Sequence, residues 1–308
     1  MRILVVGAGA TGGLFGGLLA RAGRDVTFLV RAHRAEVLRQ RGLEIVSPRG
    51  DFRLEPQLVQ TGEIDAPYDL TVLGVKAFAL ESAIGDFAPA VGENTMILPL
   101  LNGMRHIDLL VERFGEKPVL GGVCIVASTL DDRGRIVQLN EMQSIAYGER
   151  AGGLTPRLLE VDATLKNAGF DATASEHIVL DMWQKWVFLA TLAGSTCLLR
   201  GSIGAIVSAG GAEVVSRLFD ECVAVAKASG YEPGATFLAQ TRERVTDAGS
   251  PLTASMYRDQ QQGLPVEADQ ILGDLLERAR GFRVDAPVLA AAYTQLNVYQ
   301  RARAASAS

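Results

Sequence analysis

The chain has 308 residues, 48% of them hydrophobic and 21% charged, with a formal net charge of −5. That is length enough for two domains of an ordinary globular protein, and the negative balance points away from a nucleic-acid partner or an anionic membrane surface. Three scattered cysteines, Cys124, Cys197 and Cys222, without C-x-x-C or Cys/His spacing, argue against a disulfide framework and against structural zinc, so no metal is expected.

The apolar N-terminus stops after about five residues and runs into glycines, unlike a secretory leader. The later apolar stretch 187–199 is too short to span a bilayer. The expected location is therefore cytoplasmic.

Arg2-Ile-Leu-Val-Val6 is a short β-branched and aliphatic run that reads as a buried strand. Gly7-Ala8-Gly9-Ala10-Thr11-Gly12 follows at once. Leu14, Phe15, Leu18 and Leu19 then recur at helical spacing as far as Gly23, a helix stop. A G-x-G-x-x-G between a strand and a helix reads as a dinucleotide-binding turn. Gly7 permits the turn, Gly9 lets the backbone approach a pyrophosphate, and Gly12 lets the helix lie close on the strand, with the phosphates at the helix N-terminus. The plainer alternative is a glycine-rich turn that only fits a helix to a strand.

Residues 25–30 form a second strand. It ends in Arg31, with His33 and Arg34 just beyond, where an NAD-specific turn usually has an Asp or Glu to accept from the ribose 2′-hydroxyl. Arginine can grip a 2′-phosphate bidentately, so the expected cofactor is NADP(H). The alternative makes Arg31 and Arg34 solvated charges opening the next helix.

Residues 32–41 read as a helix stopped by Gly42. Residues 43–46, a Pro48-Arg-Gly50 turn and residues 52–59 read as a β-hairpin. Residues 69–75 make a strand apolar on both faces, as a helix-covered parallel sheet demands, and it ends at Lys76. A helix over 77–90, a strand over 95–101 ending in Asn102-Gly103, and a helix over 105–114 follow. This alternation predicts a doubly wound, Rossmann-type sheet. Its ligands would lie beyond the carboxyl ends of the strands, where Lys76 and Asn102 stand. A helix-start lysine and a turn residue before glycine would look the same.

Three strands, over 119–128, 136–139 and 144–147 with a turn at 131–134, are expected to extend that sheet, some antiparallel. After a helix over 157–168 the pattern becomes wholly helical near Ser175. The expected fold class is α/β: an NADP-binding Rossmann-type domain over 1–175 and an all-helical substrate and catalytic domain over 176–308. Its helices are expected at 177–199, 210–229, 233–248, 254–262, 265–279 and 287–302, with a frayed Ala/Ser tail.

A hydride from a nicotinamide needs a substrate-orienting site and a proton donor. The three histidines, His33, His106 and His177, have no carboxylate beside them in sequence, and there is no Tyr-x-x-x-Lys pair. Lys185 stands out. It lies mid-helix among Trp183, Trp186 and Phe188, where burial disfavours its charge. Its amine could protonate a carbonyl oxygen. It could equally be a lysine whose stem covers apolar surface, and composition does not separate the two.

Taken together, Gly7–Gly12, Arg31, Val75-Lys76-Ala77, Asn102-Gly103, Trp183-Gln-Lys185, Ser255-Met256-x-x-Asp259 and Glu267 resemble the ketopantoate reductase (2-dehydropantoate 2-reductase) family over nearly the whole chain. The resemblance implies NADPH-dependent reduction of a 2-keto acid to a 2-hydroxy acid, with ketopantoate as first candidate. It implies Lys185 as general acid, and Glu267 hydrogen-bonding the substrate or the lysine. Ser255 and Asn102 would help hold substrate and cofactor, Lys76 would lie by the cofactor, and Arg31 would bind the 2′-phosphate. Without it, Ser255 reads as a helix-start hydroxyl and Glu267 as a first-turn acid favoured by the helix dipole.

One departure stands out. Well-known members of the family carry Asn one and two turns after the lysine. Here those positions are Leu189 and Ala193, on the same helix face as Lys185, and neither side chain can hydrogen-bond. The reaction class is thus firmer than the substrate, which could be a more apolar 2-keto acid. Two other readings stay open: a related NADP-dependent hydroxyacid dehydrogenase, and a non-catalytic NADPH-binding sensor. The expected partner is a small-molecule keto acid, with no nucleic acid and no membrane; the sequence leaves a homodimer open.

Overall fold

The computed structural model describes residues 1–306. They form two compact units: residues 1–101 with 106–179, and residues 102–105 with the chain from Leu180 onward. The unit changes a few residues after the boundary expected at 175, inside the first turn of a helix. Asn102–Arg105 belongs to the helical unit, which strand periodicity has no means of announcing.

The first unit opens with β1 (Arg2–Val6), α1 (Ala10–Arg21), β2 (Asp25–Leu29) and α2 (Ala32–Arg41). β3 (Leu43–Val46), β4 (Phe52–Leu54), β5 (Gln57–Val59) and β6 (Leu70–Leu73) follow. After β6 come α3 (Leu80–Phe87), flanked by single 3₁₀ turns, β7 (Met96–Pro99) and α4 (Arg105–Phe114). The unit closes with β8 (Gly121–Leu130), β9 (Ile136–Gly148), α5 (Pro156–Leu165) and β10 (Asp171–Ala174). One five-stranded sheet has the order β5-β2-β1-β6-β7 with every pairing parallel. The order reverses at β1, which has β2 on one side and β6 on the other. This is the doubly wound sheet that the strand–helix alternation predicts, and its reversal point is where such sheets bind ligands.

Two expectations are corrected. The hairpin over 43–59 is only half a hairpin. β3 and β4 pair antiparallel, but the chain then leaves at Glu55-Pro56 and β5 joins β2 in the other sheet. Proline has no N–H to continue the first ladder. Of the strands expected after 119, only the first residues touch the doubly wound sheet: Val119 bridges Ile97 of β7 in parallel, and the Leu120 N–H donates to the Ile97 carbonyl at 2.9 Å. β8 and β9 build a second sheet, ordered β10-β9-β3-β4 with β8 on β9, and residues 136–148 form one strand rather than two.

The reason for a second sheet lies in α1. It is buried along its whole middle, from Gly12 to Leu19, and so must be covered on both sides. A Cβ on Gly16 would lie 2.6 Å from the Phe28 ring of the first sheet, and one on Gly13 would lie 2.4 Å from Ile136 of the second. Phe15 then meets Phe170 edge-on at 5.0 Å. β10 went unanticipated because Asp-Ala-Thr-Ala is short and only partly buried, with little apolar pattern to read.

β9 runs into a buried ion pair. Glu149 is 6% exposed; Arg157 Nε donates to its Oε1 at 2.7 Å, and the Thr155 hydroxyl donates to the same oxygen at 2.6 Å. The Arg157 guanidinium holds the Glu149 carboxyl below the usual carboxylate range, and the Thr155 bond adds to that. A carboxyl depressed on folding contributes stability that is whole above its unfolded value and is lost as the pH falls through the folded one. Glu149→Gln is therefore expected to cost about 2 kcal/mol at neutral pH. Urea unfolding at a series of pH values should show that deficit shrinking toward acid.

The second unit is helical: α6 (Ile178–Leu199), α7 (Ile203–Ile206), α8 (Ala212–Ala228), α9 (Ala235–Thr246), α10 (Ser255–Gln261), α11 (Asp274–Gly281) and α12 (Pro287–Ser306). α6 is its core: Trp183, Trp186, Val187, Ala190 and Cys197 are buried, as are Leu218 and Phe219 of α8 and Leu289 and Leu296 of α12. Glu221 of α8 accepts the Leu289 and Val288 backbone N–H groups at 2.9 and 3.2 Å, satisfying the orphan donors that open α12.

The helix expected over 210–229 begins two residues late because Gly210, at φ +90°, breaks the turn before it. The helix expected over 265–279 is interrupted by a π turn at Asp269–Gly273. α12 runs past 302 to Ser306; Ala307 and Ser308, the end of the expected frayed tail, lie outside the described residues. No single helix among the described residues is long and apolar enough to cross a membrane.

Candidate active site

In the first unit the glycine turn has the geometry the motif predicts. Gly7 takes φ +90°, which favours glycine. A Cβ on Gly12 would lie 2.2 Å from the Gly7 carbonyl oxygen and 3.2 Å from the Gly74 Cα. The first turn of α1 therefore rests on the backbone at the end of β6. Gly74 was missed in the sequence, although an isolated glycine in a strand pattern signals such an approach.

Gly9 differs: a Cβ there would meet nothing within 4 Å. Nothing in the protein's own packing demands glycine at this position. Gly9 is also the N-cap of α1, without a side-chain cap, and no acid occupies the first helical turn. The first N–H groups of a 12-residue helix thus have no side-chain cap and lie at its positive end, next to the open space at Gly9. Both features fit a bound pyrophosphate.

Arg31 is exposed at the N-cap of α2, with Nη2 3.4 Å from the Ser82 hydroxyl of α3. Arg34 is turned inward. Its Nε donates to the Ala8 carbonyl at 2.9 Å and Nη1 to the Gly134 carbonyl at 2.8 Å, and burial lowers its pKa. Of the two arginines, only Arg31 is presented to a ligand; Arg34 buttresses the glycine turn. Lys76 is exposed just past β6.

In the second unit Lys185 is half-buried on α6, between fully buried Trp183 and Trp186, whose rings are 4.9 Å apart. The Arg278 guanidinium lies over both, 5.9 and 5.6 Å from their centres. Ala193 is buried, Leu189 half-buried, and the nearby Thr191 and Thr196 hydroxyls bond back to the Val187 and Leu192 carbonyls at 2.8 and 2.7 Å. Neither hydroxyl replaces a missing amide on the lysine's face.

Glu267 is half-buried immediately before the π turn, and its carbonyl accepts from the Ile271 N–H at 3.1 Å. Asn102 is half-buried, with its carbonyl accepting from Gln270 Nε2 at 2.8 Å. Ser255 is exposed at the first residue of α10, and that helix is tied by the Tyr257 hydroxyl to the Arg200 carbonyl at 2.9 Å, just past α6.

Sequence reasoning missed Gln270 and Arg278 and named Trp186 only as an apolar flank of Lys185, because what they do depends on partners distant in sequence. The Cys197 and Cys222 thiols are buried and pushed up to about 12, which leaves no thiolate for nucleophilic chemistry. Among the described residues no cluster of His, Cys, Asp or Glu could hold a metal ion.

Two family models match this chain: Ketopantoate reductase PanE/ApbA over residues 3–152, and Ketopantoate reductase PanE/ApbA C terminal over residues 177–300. The chain belongs to the ketopantoate reductase family. It is 34% identical over 301 residues to an uncharacterized oxidoreductase, YkpB, of Bacillus subtilis, covering 97% of this chain and 99% of that relative. It is 27% identical over 299 residues to the 2-dehydropantoate 2-reductase of Nostoc sp., covering 95% and 93%. Its fold superposes on the crystal structure of 2-dehydropantoate 2-reductase from Geobacter metallireducens with a TM-score of 0.87 and 29% identity, over 96% of this chain and 99% of that one. This member of the ketopantoate reductase family is an oxidoreductase, with the Rossmann-type first unit and helical second unit of those structures.

Proposed function

We propose that the chain catalyses the NADPH-dependent reduction of a 2-keto acid to the 2-hydroxy acid, with ketopantoate to pantoate as the first reaction to try and Lys185 as general acid. The observation that carries the reading is Lys185, half-buried on a helix of buried apolar residues, in a chain whose curated relatives include 2-dehydropantoate 2-reductases. Gly7–Gly12 would hold the pyrophosphate, and Arg31 with Ser82 the 2′-phosphate; Lys76 would lie alongside. When bound, the cofactor supplies the hydride that adds to the substrate's carbonyl carbon.

The chain's own residues do the rest. The Lys185 ammonium gives its proton to the carbonyl oxygen as negative charge develops there, and is reprotonated from solvent. Glu267 hydrogen-bonds the substrate or the lysine, and Ser255 and Asn102 orient the substrate. The apolar Leu189 and Ala193 leave a substrate hydroxyl without a partner on this face, which favours a 2-keto acid lacking that group.

The cofactor half is tested by titrating the wild type and Arg31→Ala with NADPH and NADH. The variant is expected to weaken NADPH at least about tenfold and NADH by less than about twofold, since only the 2′-phosphate makes the charge-assisted bond. Equal losses for the two would remove Arg31 from that role. The substrate half is tested by NADPH consumption with ketopantoate and branched 2-keto acids; consumption with none of them would refute it.

A further inference from the structure

The π turn at Asp269–Gly273 is pinned to three other parts of the helical unit, by side chains from two of them and by its own Gln270. The Trp186 indole N–H donates to the Ile271 carbonyl at 2.9 Å from a fully buried position. Gln270, 6% exposed, donates from Nε2 to the Asn102 carbonyl at 2.8 Å. The Tyr293 hydroxyl donates to Asp269 at 2.7 Å, and a Cβ on Gly273 would lie 2.9 Å from the Tyr293 ring. The approach on the Asn102 side is just as close: a Cβ on Gly103, itself at φ +79°, would lie 2.6 Å from the Gln270 carbonyl oxygen.

A π turn carries one residue more than an α turn. It therefore rotates whatever precedes it by about 100° around the axis relative to the helix that follows. Glu267 precedes it, and the buried face of Leu275, Leu276 and Ala279 follows it. The turn decides which way Glu267 faces. Its two buried anchors are Trp186, the neighbour of Lys185, and the carbonyl of Asn102.

We infer that the π turn is the positioning element of the proposed site, with Gln270 and Trp186 as positioning residues that set Asn102, Lys185 and Glu267 in register through bonds to main chain. The inference rests on the reading of Lys185 and Glu267 above.

It is tested by comparing wild type, Gln270→Leu, Trp186→Phe and the mild Tyr293→Phe for kcat, keto-acid KM, the pH profile of kcat/KM, NADPH affinity and thermal unfolding. Gln270→Leu is expected to raise keto-acid KM about tenfold or more. Trp186→Phe is expected to lower kcat about tenfold and move the alkaline limb of the pH profile, with NADPH affinity within about twofold of wild type. Tyr293→Phe, which leaves the core intact, should change kcat/KM in the same direction by a smaller factor. Lowered unfolding temperatures with kinetics and pH limb unchanged would mean a structural role only, and would overturn the proposal while Lys185→Ala still lost most of its turnover. A wild-type protein without keto-acid turnover would overturn the underlying reading, and the positioning role with it.

Discussion

Gly12→Ala is expected to lower the unfolding temperature sharply, whereas Gly9→Ala should keep its stability and bind the dinucleotide more weakly. The two glycines sit three residues apart in one motif, and the protein treats them oppositely. At Gly12 a methyl would be driven 2.2 Å from the Gly7 carbonyl oxygen and against the Gly74 backbone. Backbone cannot step aside as a side-chain end can, so the cost is at least about 3 kcal/mol, a large part of a domain's usual stability. At Gly9 the space is open, and φ −84°, ψ −165° suits alanine. The loss there is only an N-cap preference, below about 1 kcal/mol. In the proposed function a methyl in that space would stand in the path of the pyrophosphate, so NADPH affinity should fall at least about tenfold. Thermal unfolding and a dinucleotide titration on both variants separate the effects. Unchanged NADPH affinity in Gly9→Ala would place the pyrophosphate elsewhere.

Lys185→Ala should lower kcat about 10²–10⁴-fold while leaving NADPH affinity within about twofold of wild type. A positioned general acid contributes about 10²–10⁴-fold, and the loss is expected in kcat rather than in cofactor binding. The sign with pH follows from the role. Reduction needs the ammonium form, so wild-type kcat/KM should fall as the pH rises through the lysine's titration, and the residual activity of the variant should lose that limb. Retained activity in Lys185→Ala with the alkaline limb intact would pass the proton-donor role to another group.

The first half of the fold was legible because its rules are local. The strand, glycine turn and helix at the N-terminus follow from periodicity and glycine placement, as do α2 and α4, whose helical patterns end at Gly42 and Gly115. The second sheet was not legible. β8 and β9 have strand patterns that fit either sheet, and the choice is made by the uncovered face of α1, a tertiary demand. β5 defected from its hairpin for the same kind of reason, to cover the open edge of β2.

In the proposed site, lysine and carboxylate positions could be named from motif and resemblance, and so could the missing amides at Leu189 and Ala193. The π turn could not. It interrupts the helix expected over 265–279, and its bonds run to Trp186 and the Asn102 carbonyl, both far away in sequence. Arg34 illustrates the limit in reverse. In sequence it is only a cation just beyond Arg31, but the carbonyls of Ala8 and Gly134 take its Nε and Nη1.

The proposed reaction is hydride transfer from NADPH to the carbonyl carbon of a 2-keto acid. The most direct measurement uses NADPH carrying deuterium at both hydrogens of the reactive nicotinamide carbon, with ketopantoate and branched 2-keto acids in turn, and mass spectrometry of the product. The expected product is a 2-hydroxy acid carrying one deuterium on C2, from at least one of these substrates, formed at least about a hundredfold more slowly by Lys185→Ala. Unlabelled product, or no product from any 2-keto acid despite tight NADPH binding, would contradict it.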